Sequence, residues 1–250
     1  MKRVSLVVPC YNEEANIQKG VLDKIGNYSH NGNSFAEILI VDDGSTDSSK
    51  DIIKKYYLKK FSNFQLIENE HKGKAYAVME GIKQAKSKYV MFMDIDLATP
   101  IEESQKLIKE VQKHNDIVIG SRKAQREGAP ITRKIMAFGM MIVRELIIGL
   151  KGVRDTQCGF KLFRTDAACE IISRLHVFKK KEAIKGSSVS AAFDLEFLFL
   201  ASKLGYSIRE IPVTWRHVET KNVNFVKDTF ETLRDITLIK YYDITGKYST

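Results

Sequence analysis

Short apolar runs alternate with longer amphipathic stretches through the first half of the chain. The runs predict strands at 4–9, 37–42, 64–68, 88–94 and 116–121. Between them, apolar positions recur at helical spacing and predict helices at 13–25, 47–60, 72–86 and 101–113. Such alternation implies an α/β fold built on a mainly parallel, twisted sheet flanked by helices, with right-handed crossovers. The second half is less regular. It offers an apolar helix at 131–150, helices at 165–175 and 193–204, a strand at 208–215 and a last amphipathic helix at 224–241. No linker rich in Pro, Gly or Ser and no internal repeat interrupts the pattern, so the reading is one domain over 1–250.

Three of the predicted strands run into polar or acidic turns. The first is followed by Pro9-Cys10-Tyr11-Asn12-Glu13, the second ends at Asp42-Asp43-Gly44-Ser45, and the fourth ends at Asp94-Ile95-Asp96. Ligands of open parallel sheets bind beyond the carboxyl ends of the strands, so these turns are expected to share one cleft. Side chains two apart on a strand point to one side, which would present Asp94 and Asp96 together to a hard divalent cation. Mg²⁺ or Mn²⁺ held by one or two carboxylates keeps open positions that diphosphate oxygens can fill. Asp-x-Asp also arises in turns by chance, and the spacing alone leaves that reading open. After Asp43, Gly44 and Ser45 make the turn and Thr46 is the expected N-cap of the next helix.

A chain of 250 residues that is 44% hydrophobic can bury a sizeable core. Its cysteines are Cys10, Cys158 and Cys169, without metal-ligand spacing, which fits reduced thiols. The first apolar run is broken by Pro9 and Glu13-Glu14 and is read as a strand, not a secretory leader. Residues 121–185 hold 15 Lys or Arg and 6 Asp or Glu, a balance of +9 that equals the net charge of the whole chain. A basic surface of this kind suits anionic headgroups, phosphorylated substrates or nucleic acid. No aromatic-basic RNA-binding signature or helix-turn-helix accompanies it, which argues against nucleic acid. The helix at 131–150 carries Arg133 and Arg144 on nearly one line, with most of its circumference apolar. It is read either as a core helix or as one lying in a membrane interface, its charges falling inside the segment and against a span.

Taken together, Pro9-Cys-Tyr-Asn-Glu, Val41-Asp-Asp-Gly-Ser-Thr-Asp, Gly73-Lys74, Asp94-Ile-Asp and Ile119-Gly-Ser-Arg occur in the order seen in family 2 glycosyltransferases, which the chain resembles. Asp155-Thr-Gln-Cys-Gly-Phe-Lys-Leu-Phe, Phe193-Asp-Leu-Glu and Ile211-Pro-Val-Thr-Trp are similar to the dolichyl-phosphate glucosyltransferase and mannosyltransferase branch, leaning to the glucosyl side. The resemblance implies a Rossmann-like GT-A domain, with residues 1–122 binding the nucleotide sugar and 123–250 the acceptor. It implies an inverting, metal-dependent transferase using Mg²⁺ or Mn²⁺. The donor would be UDP-glucose or GDP-mannose and the acceptor dolichyl or polyprenyl phosphate, with protein glycosylation as the setting. The protein would sit peripherally on the cytoplasmic face of a membrane, alone or through a membrane-protein partner.

The same resemblance assigns residues. Pro9, Tyr11, Glu13 and Asp43 would line the nucleoside pocket, Tyr11 as an aromatic surface, while Asp42 would stiffen its turn or cap a helix. Gly73 and Lys74 would meet phosphate at a helix start, Ala75 standing where the family often has a second glycine. Asp94 and Asp96 would take the metal, Asp96 as the favoured direct ligand; Ala98 cannot coordinate. Arg122 and Arg133 match positions near the phosphates. Asp155 could be a general base for a hydroxyl acceptor, an orienting residue beside a phosphate acceptor, or a turn cap. Asp194 and Glu196 would serve a helix dipole, Asp194 also as a site candidate, and Trp215 and Arg216 would close the acceptor side. A same-fold transferase acting on a glycan hydroxyl, and a noncatalytic basic module, are the competing functions.

Overall fold

The computed structural model describes residues 4–32, 35–122, 139, 142–143, 145–150, 152–178, 191–216 and 225–248. Seven strands form one sheet: β1 (Val4–Cys10), β2 (Phe35–Asp42), β3 (Phe64–Glu68), β4 (Tyr89–Met93), β5 (Ile117–Ser121), β6 (Phe160–Arg164) and β7 (Ile208–Pro212). Their order is β3-β2-β1-β4-β6-β5-β7. Every neighbouring pair is parallel except those made by β6, which runs antiparallel between β4 and β5. The mixed sheet agrees with the mainly parallel reading and adds the strand that reading lacked. The sequence of β6, Phe-Lys-Leu-Phe-Arg, carries two charges in five residues, too short and too polar to be separated from its helical neighbours by pattern.

The helices are α1 (Glu14–Gln18), α2 (Val21–Gly32), α3 (49–60), α4 (Lys74–Gln84), α5 (Ser104–Val111), α6 (Thr165–Ser173), α7 (Ala191–Lys203) and α8 (Phe225–Ile244). The helix expected over 13–25 is thus two, divided near Gly20. Within α3 the stretch Ile53–Tyr57 is a π turn. Among the described residues no helix is long and apolar enough to cross a membrane. Of the helix expected at 131–150, residues 145–148 are helical, while Arg133, Lys134, Met140, Met141 and Arg144 lie outside the described residues.

Alternation along the strands sends side chains to two cores. Val7, Leu39, Val41, Phe92, Ile119 and Phe163 pack with Val78 and Ile82 of α4 and with Phe197, Leu198 and Leu200 of α7. Leu6, Val8, Ile38, Ile40, Met91 and Leu162 pack on the other face with Leu22, Ile25, Phe61, Leu107 and Val111. Being covered on both faces, the central strands read as unbroken apolar runs. The α7 residues are core, as their sequence implies.

Candidate active site

The sheet order places the carboxyl ends of β2, β1 and β4 side by side. Because β6 runs the other way, it starts where β4 ends, Phe160 opposite Met93, and the loop before it enters at the same edge. The end of β5 at Ser121 and the end of β7 at Pro212 are also paired there. Six chain segments therefore converge at this edge, the three polar strand ends among them.

On the β1–β2 side, Asn12 adopts φ +53°, a conformation its short polar side chain tolerates. Its Oδ1 accepts from the backbone N–H of Thr46 at 2.8 Å and of Asp47 at 3.3 Å, lashing the two turns together. Thr46 is not the N-cap; α3 begins at Ser49, whose N–H donates to Asp47 Oδ1 at 2.9 Å. Pro9 lies buried on β1 beside Val41. The N–H of Glu13 donates to Ser49 Oγ at 2.8 Å, and its carboxylate accepts from the Asn16 amide.

Asp43 is 1% exposed and organises the neighbouring loop. Its Oδ1 accepts from Lys72 N–H at 3.0 Å, and its Oδ2 from Gly73 N–H at 2.8 Å and from His71 Nδ1 at 2.8 Å. Since the Asp43 carbonyl, 3.0 Å from the same Nδ1, is also an acceptor, that ring nitrogen carries the proton. The fixed imidazole stacks on Tyr11, centroids 4.0 Å apart and planes inclined by 13°. His71 belongs to no motif noted in the sequence; only its place three residues before Lys74 hinted at it. Asp42 is equally buried, with Oδ2 accepting from Ser45 N–H at 3.1 Å, in keeping with a turn-stiffening role.

Gly73, at φ +98° and ψ 161°, takes a conformation reserved for glycine and turns the chain into α4. Lys74 follows in the first helical turn and pairs with Asp94. Burial works against the charge of Lys74, but the carboxylates of Asp94, Asp194 and Asp96 outweigh it and raise its pKa. Ala75 is buried in the core.

β4 stops at Met93, so Asp94 and Asp96 stand in the turn beyond it and not on the strand. Ile95 between them is buried, and both aspartates are half-buried. Asp96 Oδ1 accepts from Ala98 N–H at 2.9 Å. Burial, and then the charge of Asp94, push the Asp96 pKa upward. An added positive charge here would relieve that repulsion. Among the described residues no three His, Cys, Asp or Glu side chains cluster for a metal; Asp94 and Asp96 are carboxylates at this edge that could ligate one. Oxygen donors of this kind fit Mg²⁺ or Mn²⁺ and leave open positions on the ion.

Gly159 closes the turn from the β6 side. Its carbonyl accepts from Asp94 N–H at 3.2 Å, and a Cβ on it would lie 2.3 Å from Asp94 Oδ2. Only glycine lets the backbone rest against that carboxylate.

Asp155, buried at 6% exposure, is gripped by Arg122. Arg122 Nε donates to Oδ2 at 2.8 Å, Nη2 to Oδ1 at 2.7 Å, and the Arg122 N–H to Oδ2 at 3.0 Å. Burial alone would raise the Asp155 pKa, but the guanidinium outweighs it and holds the carboxyl below its usual range. The guanidinium lies 5.9 Å from the Trp215 ring centroid, and the Arg216 N–H donates to the Ala98 carbonyl at 2.7 Å. Asp94, Arg122, Gln157, Gly159 and Trp215 line one small cleft.

Asp194 and Glu196 do not act as free helix-start charges. Asp194 pairs with Lys161, and Glu196 accepts from the N–H groups of His176, Val177 and Phe178 at 2.7 to 2.9 Å and from Tyr248 Oη at 2.6 Å. The sequence therefore locates Pro9, Tyr11, Glu13, Asp43, Gly73, Lys74, Asp94, Asp96, Arg122 and Asp155 on one edge. Arg133 lies outside the described residues.

Known proteins resemble the chain in sequence and in fold. A dolichyl-phosphate beta-glucosyltransferase of Trichomonas vaginalis is 37% identical over 86% of this chain, which spans 66% of that relative. The dolichyl-phosphate beta-glucosyltransferase of Saccharomyces cerevisiae is 29% identical over 98% of this chain and 76% of its own length. Glucosyl-3-phosphoglycerate synthase from Mycobacterium tuberculosis, solved with uridine diphosphate, has the same fold, with a TM-score of 0.66, 16% identity and coverage of 96% of this chain and 80% of that one. Residues 5–172, spanning β1 through most of α6 and both aspartate turns, match the family model Glycosyl transferase family 2. With the fold, the strand-end turns and the sequence in agreement, the chain belongs to glycosyl transferase family 2.

Proposed function

We propose that the protein is an inverting glucosyltransferase that moves a hexose from a nucleotide sugar, UDP-glucose in first place, to dolichyl or polyprenyl phosphate at a membrane surface. The names of the relatives support the glucosyl and dolichyl-phosphate assignment. One observation carries the acceptor class: Asp155, the buried carboxylate beside the cleft, is already held by Arg122, and the half-buried Asp94 is paired with Lys74. A carboxylate held by both oxygens with a lowered pKa is a weak base. A hydroxyl acceptor needs a free base; a phosphate arrives ionised and needs positive charge to hold it beside the anionic donor. Asp155 is therefore assigned to orienting Arg122 and not to proton removal.

In this reading the β1–β5 half holds the donor. The Tyr11–His71 stack, built by Asp43, is the surface for the base, with Pro9 and Glu13 beside it. As the C1–oxygen bond breaks, negative charge grows on the departing diphosphate, where Gly73, Lys74 and the N-terminal end of α4 supply fixed positive potential. A divalent cation, Mg²⁺ or Mn²⁺, held by Asp96 with Asp94 would neutralise charge on the same leaving group when bound. Arg122, braced by Asp155 and flanked by Trp215, holds the acceptor phosphate for attack on the opposite face of C1, with Arg133 as its second cation. The exposure of Leu146, 80%, within the described helical residues 145–148 supports contact with a membrane interface, which this reading places on the cytoplasmic side. Incubation with UDP-glucose, GDP-mannose, Mn²⁺ and polyprenyl phosphate in detergent, followed by mass spectrometry, tests donor and acceptor together. A glucosylated lipid phosphate is expected; transfer only to glycan hydroxyls would reject the acceptor class.

A further inference from the structure

Lys161 is a buried cation for which the chemistry above has no direct use. Its side chain is 2% exposed, and its ammonium donates to Asp194 Oδ1 at 2.6 Å and to the Cys158 carbonyl at 2.7 Å, 5.1 Å from the Phe92 ring centroid. Stripping an ammonium and a carboxylate of water is costly, and a pair of apolar side chains commonly fills such space at equal or lower free energy. Packing alone therefore does not account for the charges.

What the pair touches does. Lys161 lies on β6 opposite Phe92 of β4 and Ile119 of β5, in the middle of the three strands whose ends carry Asp94 and Arg122. One of its bonds fixes the Cys158 carbonyl, which belongs to the peptide leading into Gly159. Asp94 leans on Gly159 from the other side, through its own N–H and through the close approach of its carboxylate. The support that Gly159 gives Asp94 thus leads back to one buried ion pair.

We propose that Lys161, with Asp194, is a positioning residue for the donor diphosphate: by holding the Cys158–Gly159 peptide it aims the Asp94 carboxylate into the cleft. The inference rests on the donor reading of the Asp94–Asp96 turn. Lys161 touches neither substrate in this account and acts through Asp94 alone.

The test uses the full chain and whichever of UDP-glucose and GDP-mannose the parent turns over. Lys161→Met with Asp194→Leu removes both charges, so stability is expected to hold to within a few degrees of melting temperature. Donor kcat/KM is expected to fall about 10- to 100-fold, in line with a misplacement of up to ~1 Å, while the KM for polyprenyl phosphate stays put. Lys161→Arg, which retains the charge, is expected to keep donor kcat/KM within about threefold of the parent. A folded double variant with parental donor kinetics would overturn the proposal, as would equal losses toward donor and acceptor. If the double variant does not fold, Lys161→Gln decides by the same donor-to-acceptor comparison, read on its folded fraction. Should Asp96→Ala also leave donor kinetics untouched, the donor reading itself fails; if Asp96→Ala abolishes transfer while the double variant is normal, only the role of Lys161 is rejected.

Discussion

Replacing Gly159 by alanine adds one methyl group at the most constrained point of the site. The new Cβ would stand 2.3 Å from Asp94 Oδ2 and 2.6 Å from its Cγ and Oδ1, whereas ordinary contact begins at 3.4 Å, so roughly 1 Å of movement is required. Asp94 cannot simply rotate away, because Lys74 holds its carboxylate and the Gly159 carbonyl holds its N–H. Overpacking of this size costs about 1–3 kcal/mol, or about 2–12 °C in melting temperature for a chain of this length. The protein should remain folded. A displacement of about 1 Å in a group that orients the donor is expected to lower kcat/KM for the nucleotide sugar about 100-fold. Steady-state transfer assays with donor varied at saturating lipid phosphate, alongside thermal melting, measure both effects. A folded Gly159→Ala protein with donor kinetics within twofold of the parent would refute the claim that the Gly159 backbone places Asp94.

Further outcomes are expected from the same geometry. Asp96→Asn should reduce transfer about 100-fold or more and weaken Mn²⁺-dependent nucleotide binding in calorimetry, with a melting temperature close to the parent's because the residue stands in a turn; retained metal-stimulated activity would reject its role. His71→Ala removes the partner stacked on Tyr11, worth about 0.5–1.5 kcal/mol, so nucleotide affinity should fall about 2- to 10-fold without an equal change in acceptor KM. Asp155 has its folded pKa held below the ordinary value of 3.8, so its contribution to stability is complete above that value and is lost as pH falls through the depressed one. The gap in urea-unfolding free energy between parent and Asp155→Asn should therefore shrink below pH ~3.8, and a gap independent of pH would count against the ion pair.

The legible part of the fold was its periodic part. β1 to β5 and α4 follow from apolar runs and helical spacing, since central strands covered on both faces must be apolar throughout. β6 escaped because its environment and not its composition makes it a strand: Lys161 is sheltered by Asp194, and Arg164 reaches Asp116 and Asp166 at the sheet's far edge. The division near Gly20 is local, the glycine standing at φ +77° between α1 and α2. The late start of α3 was missed for a related reason: its first turn is tied by hydrogen bonds to a turn 33 or more residues away, such as Glu13 N–H to Ser49 Oγ, which local spacing does not contain.

The site shows the same division. Chain order and residue type were enough to place the acidic turns at strand ends and to bring them to one edge of the sheet, because parallel strands share the edge at which they end. How each carboxylate is paired was decided only by folding. Asp155, Asp94 and Asp194 look alike along the chain, yet Arg122, Lys74 and Lys161 reach them from distant segments and change their charge balance. Residue order alone brings these groups to one edge; folding selects which of them are buried and paired, because burial and ion pairing depend on neighbours that only the closed sheet brings together.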